Sequence, residues 1–261
     1  MSIRLTILGS GSGGNCSLLE TDSTRILIDA GFSGKQIREK LAAIQRAPES
    51  LDAILVTHEH IDHIQGLNGL AGKTGLPVYC NRLTREAIAF DLKTPLNFKI
   101  FTTGSSFELG DLSIDAFSVP HDAQDPVGFM VRHASGNVGF ATDLGHATKV
   151  VLERIRHADV LLLESNHDVK LLQADTKRPW STKQRILGRH GHLSNESAAE
   201  VAREIMSDRL RHLFLGHLSR DCNTPEMALD VMSKALADLG AAHVRLQTTH
   251  QDRRNETVEL L

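Results

Sequence analysis

The chain has 261 residues, 41% hydrophobic and 23% charged, with a formal net charge of −3. That balance is ordinary for a globular protein and excludes recruitment of nucleic acid by overall basic character, so any polyanion site has to be local. No apolar run reaches membrane-spanning length, and Met1-Ser2-Ile3-Arg4 leads into Leu5-Thr6-Ile7-Leu8, too short for a signal-peptide core. Cys16, Cys80 and Cys222 are odd in number and far apart. They form neither a disulfide framework nor a CxxC metal site, and the expectation is a cytoplasmic protein with free thiols, not associated with a membrane.

The first strand ends in Gly9-Ser10-Gly11-Ser12-Gly13-Gly14-Asn15-Cys16. This loop lacks the Lys-Ser/Thr ending of a P-loop, and Ser17–Glu20 and Arg25–Asp29 after it read as strands, so a dinucleotide site is not expected. Two readings stay open: a glycine-rich hairpin connection where backbone approaches backbone, or an active-site wall whose free N–H groups, with Asn15, touch a phosphate. Asp29-Ala30-Gly31 closes a strand and suits a turn. Ser33-Gly34-Lys35-Gln36 is a capping-box pattern before a helix striped by Ile37, Leu41 and Ile44, which Pro48 should terminate.

Ala53-Ile54-Leu55-Val56 reads as a buried strand. It opens onto Thr57-His58-Glu59-His60-Ile61-Asp62-His63, where four potential metal ligands fall close together. Imidazole with carboxylate is a ligand set for zinc, manganese or iron. His58 and His60 are two apart, so in extended backbone their side chains leave on the same side. Asp62 and His63 lie on the turn and can face a second ion. Polar residues capping a helix are the alternative. One His and one Asp would suit it, but three His and an Asp do not, because packing asks for none of them. A short helix is expected from Ile64 to Ala71, a turn at Gly75-Leu76-Pro77, a strand at Val78–Cys80 and a helix from Arg82 to Phe90. Phe98–Thr102, Ser106–Leu109 and Leu112–Val119 read as successive strands of a meander, with Gly110-Asp111 in the last tight turn.

Val119-Pro120-His121-Asp122 places a single His just past a strand. Val127–Val131 and Asn137–Ala141 read as strands, and the second ends in Thr142-Asp143-Leu144-Gly145. Asp143 can cap a helix beginning near His146, or hold an ion with each carboxylate oxygen. The buried strand Ala158–Leu163 leads to Glu164-Ser165-Asn166-His167-Asp168, either outer support for a site or a loop. Residues 177–195 carry Lys177, Arg178, Lys183, Arg185, Arg189, His190, His192 and the sole tryptophan, Trp180, with no acidic residue before Asn195. A charge run is by default a solvated helix face. Here it is also the natural place for a DNA phosphate backbone, with Trp180 available for stacking.

Gly191–Asn195 opens a helix capped by Ser194 or Asn195 and striped by Ala198, Val201, Ala202 and Ile205. His192 precedes it and can project into a cleft. His212–Gly216 reads as a strand ending at His217. Thr224-Pro225-Glu226 starts the last long helix, closed by Gly240, and His243–Thr248 and Thr257–Leu260 read as terminal strands. Strands in both halves, with no linker-like stretch, predict one domain over residues 1–261.

His58-x-His60-x-Asp62-His63 resembles the signature of metallo-β-lactamase-fold hydrolases. The resemblance implies an α/β (α+β) fold, a four-layer αββα sandwich with the metals at one edge of its two sheets. It implies that His58, His60 and His121 hold one divalent ion, that Asp62, His63 and His217 hold a second, that Asp143 bridges them and that Asp29 lies beneath. Zn2+ or Mn2+ suit these ligands, as does iron. Metals about 3.5–4 Å apart can share a water and lower its pKa toward about 7, giving a hydroxide nucleophile that Asp62 orients. His192 is the candidate general acid, by analogy with related phosphodiesterases that carry a histidine on a loop shortly before the last ligand.

Within that family the second motif position is His60, where flavodiiron members have Glu. The stretch from Asp143 to His217 is too short for the domain that β-CASP nucleases insert, and nothing corresponds to the arm of transfer-RNA 3′-processing enzymes. Gly-Ser-Gly-Ser-Gly-Gly-Asn-Cys at 9–16, Pro-His-Asp-Ala at 120–123, Thr-Asp-Leu-Gly at 142–145, Ser-Asn-His-Asp at 165–168, Gly-His-Leu-Ser-Asn at 191–195 and Gly-His-Leu-Ser at 216–219 resemble the YycJ-like (WalJ-like) group over nearly the whole chain. Departures are Gly13 in place of Ser, and Asp221-Cys222 in a loop often rich in Asn. The resemblance implies a two-metal 5′→3′ exodeoxyribonuclease, with Asn15, Trp180, Arg185 and Ser194 as candidate substrate contacts. The alternative is a hydrolase of a small, cyclic-nucleotide-like phosphodiester or a glyoxalase-II-like thioester. A metal sensor is a third possibility, although it would not need an open water position. The placement of residues 177–192 discriminates: lining the metal cleft favours nucleic acid.

Overall fold

The computed structural model describes residues 2–89, 92 and 94–261. β1 (Ile3–Gly9), β2 (Cys16–Glu20) and β3 (Arg25–Ile28) are antiparallel neighbours, continued in parallel by β4 (Ala53–Leu55), β5 (Val78–Asn81) and β6 (Phe98–Phe101). A second sheet follows: β7 (Ser106–Leu109), β8 (Leu112–Ser118), β9 (Val127–His133) and β10 (Gly136–Ala141) form an antiparallel meander, and β11 (Val160–Glu164), β12 (His212–Gly216) and β13 (Arg245–Thr248) extend it in parallel. The terminal β14 (Val258–Leu260) returns to the first sheet beside β1, so the orders are β14-β1-β2-β3-β4-β5-β6 and β13-β12-β11-β10-β9-β8-β7.

Residue alternation explains the layering. Leu161 and Leu163 point to a core shared with helices, while Leu162 between them points to a core shared with the other sheet. Leu213, Phe214 and Leu215 divide in the same way, and so do Ile54 and its neighbours Ala53 and Leu55. Strands buried on both faces read as unbroken apolar runs. Each such leucine contributes about 1.5–3 kcal/mol on burial.

The first sheet is covered by α1 (Gly34–Ala42), then, after α2 (Ile61–Ile64) in the ligand turn, by α3 (Leu67–Thr74) and α4 (Arg82–Ala89). The second is covered by α5 (Lys149–Ile155), and beyond α6 (Val169–Ala174) and α7 (Trp180–Leu187) by α8 (Asn195–Ile205) and α9 (Pro225–Asp238). The result is the expected four-layer αββα sandwich. Among the described residues no helix is long and apolar enough to cross a membrane.

Four local expectations need correction. β6 is not part of the meander: it pairs in parallel with β5, and the chain crosses to the second sheet before β7. Helix formation begins at Ile61 rather than Ile64, and Gly66 then breaks the path, because its N–H bonds Ala30 O at 2.7 Å and a Cβ there would meet Phe32 O at 2.5 Å. α1 keeps its Ser33–Gln36 capping box but ends at Ala42, before Pro48, and Gln45 turns the chain at φ 57°. The helix expected to begin near His146 starts at Lys149 with Thr148 as its cap, which removes the alternative of Asp143 as that cap. Of the helix expected at 82–90, Phe90 lies outside the described residues.

Candidate metal centre

The seven candidate ligands come from both sheets. His58, His60, Asp62 and His63 follow β4, His121 follows β8, Asp143 follows β10 and His217 follows β12. One ligand atom from each of His58, His60 and His121 can lie within 4.8 Å of the others, and the same holds for Asp62, His63 and His217. Asp143 stands between these sets: Oδ2 is 3.2 Å from His63 Nε2 and Oδ1 is 3.7 Å from His121 Nε2.

Outer hydrogen bonds aim the imidazoles. His63 Nδ1 meets Asp29 Oδ2 at 2.7 Å, and Asp29 also accepts from the Thr57 amide at 2.8 Å. His121 Nδ1 faces the Gly191 carbonyl at 3.1 Å, and His217 Nδ1 faces Glu164 Oε1 at 2.9 Å. Each acceptor fixes the proton on Nδ1 and leaves Nε2 to point inward, the arrangement that orients metal-binding histidines. His58 Nε2 is buried without a hydrogen-bond partner, and His60 Nδ1 lies 3.3 Å from His121 Nε2. Converging nitrogen lone pairs and an orphaned buried nitrogen suit a cation among them. The residues therefore fit a divalent-metal centre.

Electrostatics agree. Burial opposes a charge on Asp62, yet His63 and the hydrogen bonds from His217 and His63 hold its carboxyl well below the usual carboxylate range. Burial likewise opposes protons on His63 and His217, but Asp143 and the adjoining carboxylates push both well above the ordinary histidine value. Burial, reinforced by His63, keeps His58 neutral. A cluster that draws protons onto two buried rings will also draw metal cations in their place.

Backbone strain concentrates here. Asp29, Asp143 and His217 adopt left-handed φ of 61°, 56° and 56°. Such non-glycine conformations carry about 1–3 kcal/mol each and persist where surrounding structure holds them. His217 is held by its amide, which donates to Ser10 Oγ at 2.9 Å across 207 residues of chain. Gly31 allows the close approach of another segment: a Cβ there would sit 1.7 Å from Asp62 O. Gly31→Ala should therefore displace Asp62, with at least a tenfold loss of metal affinity measured by titration; unchanged affinity would refute this account of the turn.

Glu164 was legible only as part of a polar cluster, yet it is a hub. It is fully buried; Oε1 meets His192 Nδ1 at 2.7 Å as well as His217, and Oε2 accepts from the Leu144 and Leu193 amides at 2.8 and 3.0 Å. With both oxygens occupied it orients the two histidines. Its sequence signal is an acid ending the apolar run Val160–Leu163. His192 keeps Nε2 toward a cleft of about 240 Å³ that His60, Asp62, His121 and His217 also line.

The basic segment is divided. Thr182, Arg185 and Ile186, at i, i+3 and i+4 on α7, line the cleft with Arg178. Trp180 is off that face and exposed on the outside. Lys183 turns inward to the Gln173 carbonyl at 2.7 Å. Arg178 pairs with Asp175 and Asp221, Lys177 with Asp221, and Arg185 with Asp122 beside His121. Ser194 is taken up in capping α8 through the Ser197 amide and is not part of the cleft wall. Asn15 lies behind the turn, its Nδ2 3.4 Å from Asp62 Oδ2 and 3.2 Å from His63 Nε2, where it supports ligands rather than facing solvent. Ser12 carries the glycine-rich loop into the cleft wall.

Comparison with known proteins agrees with this geometry. The family described as "Beta-lactamase superfamily domain" matches residues 24–217. Exodeoxyribonuclease WalJ of Streptococcus pneumoniae is 41% identical over 92% of this chain and 91% of its own length. Exodeoxyribonuclease YycJ of Bacillus anthracis is 37% identical, with 92% and 91% covered. The crystal structure of the metallo-beta-lactamase fold protein YhfI from Bacillus subtilis superposes with a TM-score of 0.74 at 17% identity, covering 99% of this chain and 100% of that one. With ligand-bearing turns at the ends of two packed sheets and a family match spanning them, the chain belongs to the beta-lactamase superfamily.

Proposed function

We propose that this chain is a two-metal phosphodiesterase that removes nucleotides from DNA ends in the 5′→3′ direction. The observation that carries the reading is the meeting, in one cleft, of the histidine–aspartate cluster with Arg178 and Arg185 of the basic segment. The names of WalJ and YycJ support the substrate class. We read residues 1–261 as one hydrolase domain, since the ligands come from both sheets, and as cytoplasmic on the strength of its three free cysteines.

Bound zinc or manganese ions would supply Lewis-acid activation of water and neutralise phosphate charge. His58, His60, His121, Asp62, His63, His217 and Asp143 would hold them. The chain's own groups do the rest. Arg185, braced by Asp122, and Arg178 draw the phosphate into the cleft. Asp62, held ionised, accepts a hydrogen bond from the attacking water and aims it. His192, its Nδ1 fixed by Glu164, presents Nε2 to give a proton to the leaving 3′ oxygen.

The test is hydrolysis of end-labelled DNA, 5′-phosphorylated or not, with manganese or zinc, beside bis-p-nitrophenyl phosphate and a thioester. Stepwise release of nucleotides from the 5′ end is expected. Turnover confined to the small diester or the thioester would overturn the nuclease reading and leave a small-substrate hydrolase.

A further inference from the structure

A second depression, of about 660 Å³, adjoins the metal cleft. Three segments serve both. Ser12 faces the cleft and Gly13 the groove, Ser219 the cleft and Arg220 the groove, Asp62 the cleft and Gln65 the groove. In the first two pairs the residues are consecutive, with Cα atoms about 3.8 Å apart, so the two depressions share a rim. That rim is fastened. Gln251 Oε1 accepts from the Gly13 amide at 2.8 Å and its Nε2 donates to Gly14 O at 2.9 Å. A Cβ at Gly11 would meet the same Oε1 at 2.6 Å, so the clamp requires glycine there.

Charge separates this groove from α7. The α7 segment's Lys177, Arg178 and Arg185 already pair with carboxylates. Arg220, Arg253 and Arg254 are exposed, line the groove, and make no ion pair among the described residues. Arg253 donates to the His250 ring at 2.9 Å and Arg254 to the Asn255 carbonyl at 3.4 Å, both uncharged acceptors that leave the cations uncompensated. The guanidinium of Arg220 reaches the rim itself, 3.7 Å from where a Gly13 Cβ would stand. Glu39 and Asp252 also line the groove, and Glu39 lies 3.8 Å from Lys35. In a chain of net charge −3, unpaired arginines along a trough leading away from a phosphate-cleaving centre have one evident ligand class, a string of further phosphates.

We propose that this groove holds the single strand of DNA beyond the scissile phosphate, with Arg220 and Arg253 on its backbone phosphates. The proposal rests on the reading of the chain as a nuclease, and it assigns strand binding to the trough rather than to Trp180 on α7. A small diester occupies the cleft alone; a polynucleotide crosses the Ser12–Gly13 rim and engages both.

The experiment compares wild type with the R220A/R253A double variant on bis-p-nitrophenyl phosphate and on a 5′-phosphorylated single-stranded oligonucleotide, over a range of salt. The small diester should be turned over equally. KM for the oligonucleotide should rise about tenfold, and the slope of log KM against log salt should become shallower by about 1.4, the loss of two single-strand phosphate contacts. R220K/R253K, which keeps the charge, should recover most of the affinity. An unchanged oligonucleotide KM in the double variant would overturn the groove and leave the nuclease reading intact. Failure of the wild type to cut DNA, with the small diester still hydrolysed, would overturn both.

Discussion

Replacing His60 by alanine is expected to abolish hydrolysis, lowering kcat by on the order of a thousandfold or more, about 4 kcal/mol of barrier. His60 suits this test because its Nδ1 contacts the ring of His121 at 3.3 Å and, among the described residues, the side chain supports no buried outer network. His63 and His217, by contrast, are tied to Asp29 and Glu164, so their removal would disturb the scaffold as well. The check is metal content by mass spectrometry beside thermal melting. The variant should fold, carry less metal per chain and gain less melting temperature on metal addition, because a ligand that binds only the folded state stabilises it in proportion to its affinity. Full turnover by the metal-washed variant would end the two-metal proposal.

Removing His192 should have a different signature. A 3′ oxygen of deoxyribose is a poor leaving group and needs a proton, whereas an aryl oxygen leaves without one. His192→Ala should therefore slow oligonucleotide cleavage by about 10²–10³-fold while the aryl diester loses less than tenfold. Glu164 fixes Nδ1 of this ring at 2.7 Å, so the effect reports a held and oriented acid. Equal slowing of both substrates would assign His192 to positioning and not to proton transfer.

Much of the centre was legible because ligand chemistry is written locally: histidines and aspartates stand where apolar runs stop, and strand ends converge in a sheet. The layering was legible for the same reason, since Leu161-Leu162-Leu163 leaves no face for solvent. What escaped depends on partners remote in sequence. Nothing near Glu164 announces that it will serve His192 and His217 together. The basic segment looked uniform, yet its charges are sorted by Asp122, Asp175 and Asp221 on other loops. β6 follows the meander's spacing but belongs to the other sheet, because pairing with β5 is a choice made in three dimensions. Trp180 stands out in the sequence as a stacking platform, and only helical phase turns it away from the cleft.

The bond from the His217 amide to Ser10 joins the first loop of the chain to the last candidate ligand, and Asp62 meets His217 across 155 residues. Such distant closures form late, after local hairpins and helices. A nascent chain emerging at about 5–20 residues per second thus lacks a complete centre until β12 and His217 have emerged and packed against the first sheet. The order of synthesis therefore makes the centre all-or-none: a partly made copy holds some of the histidines and aspartates but not the cluster they form together.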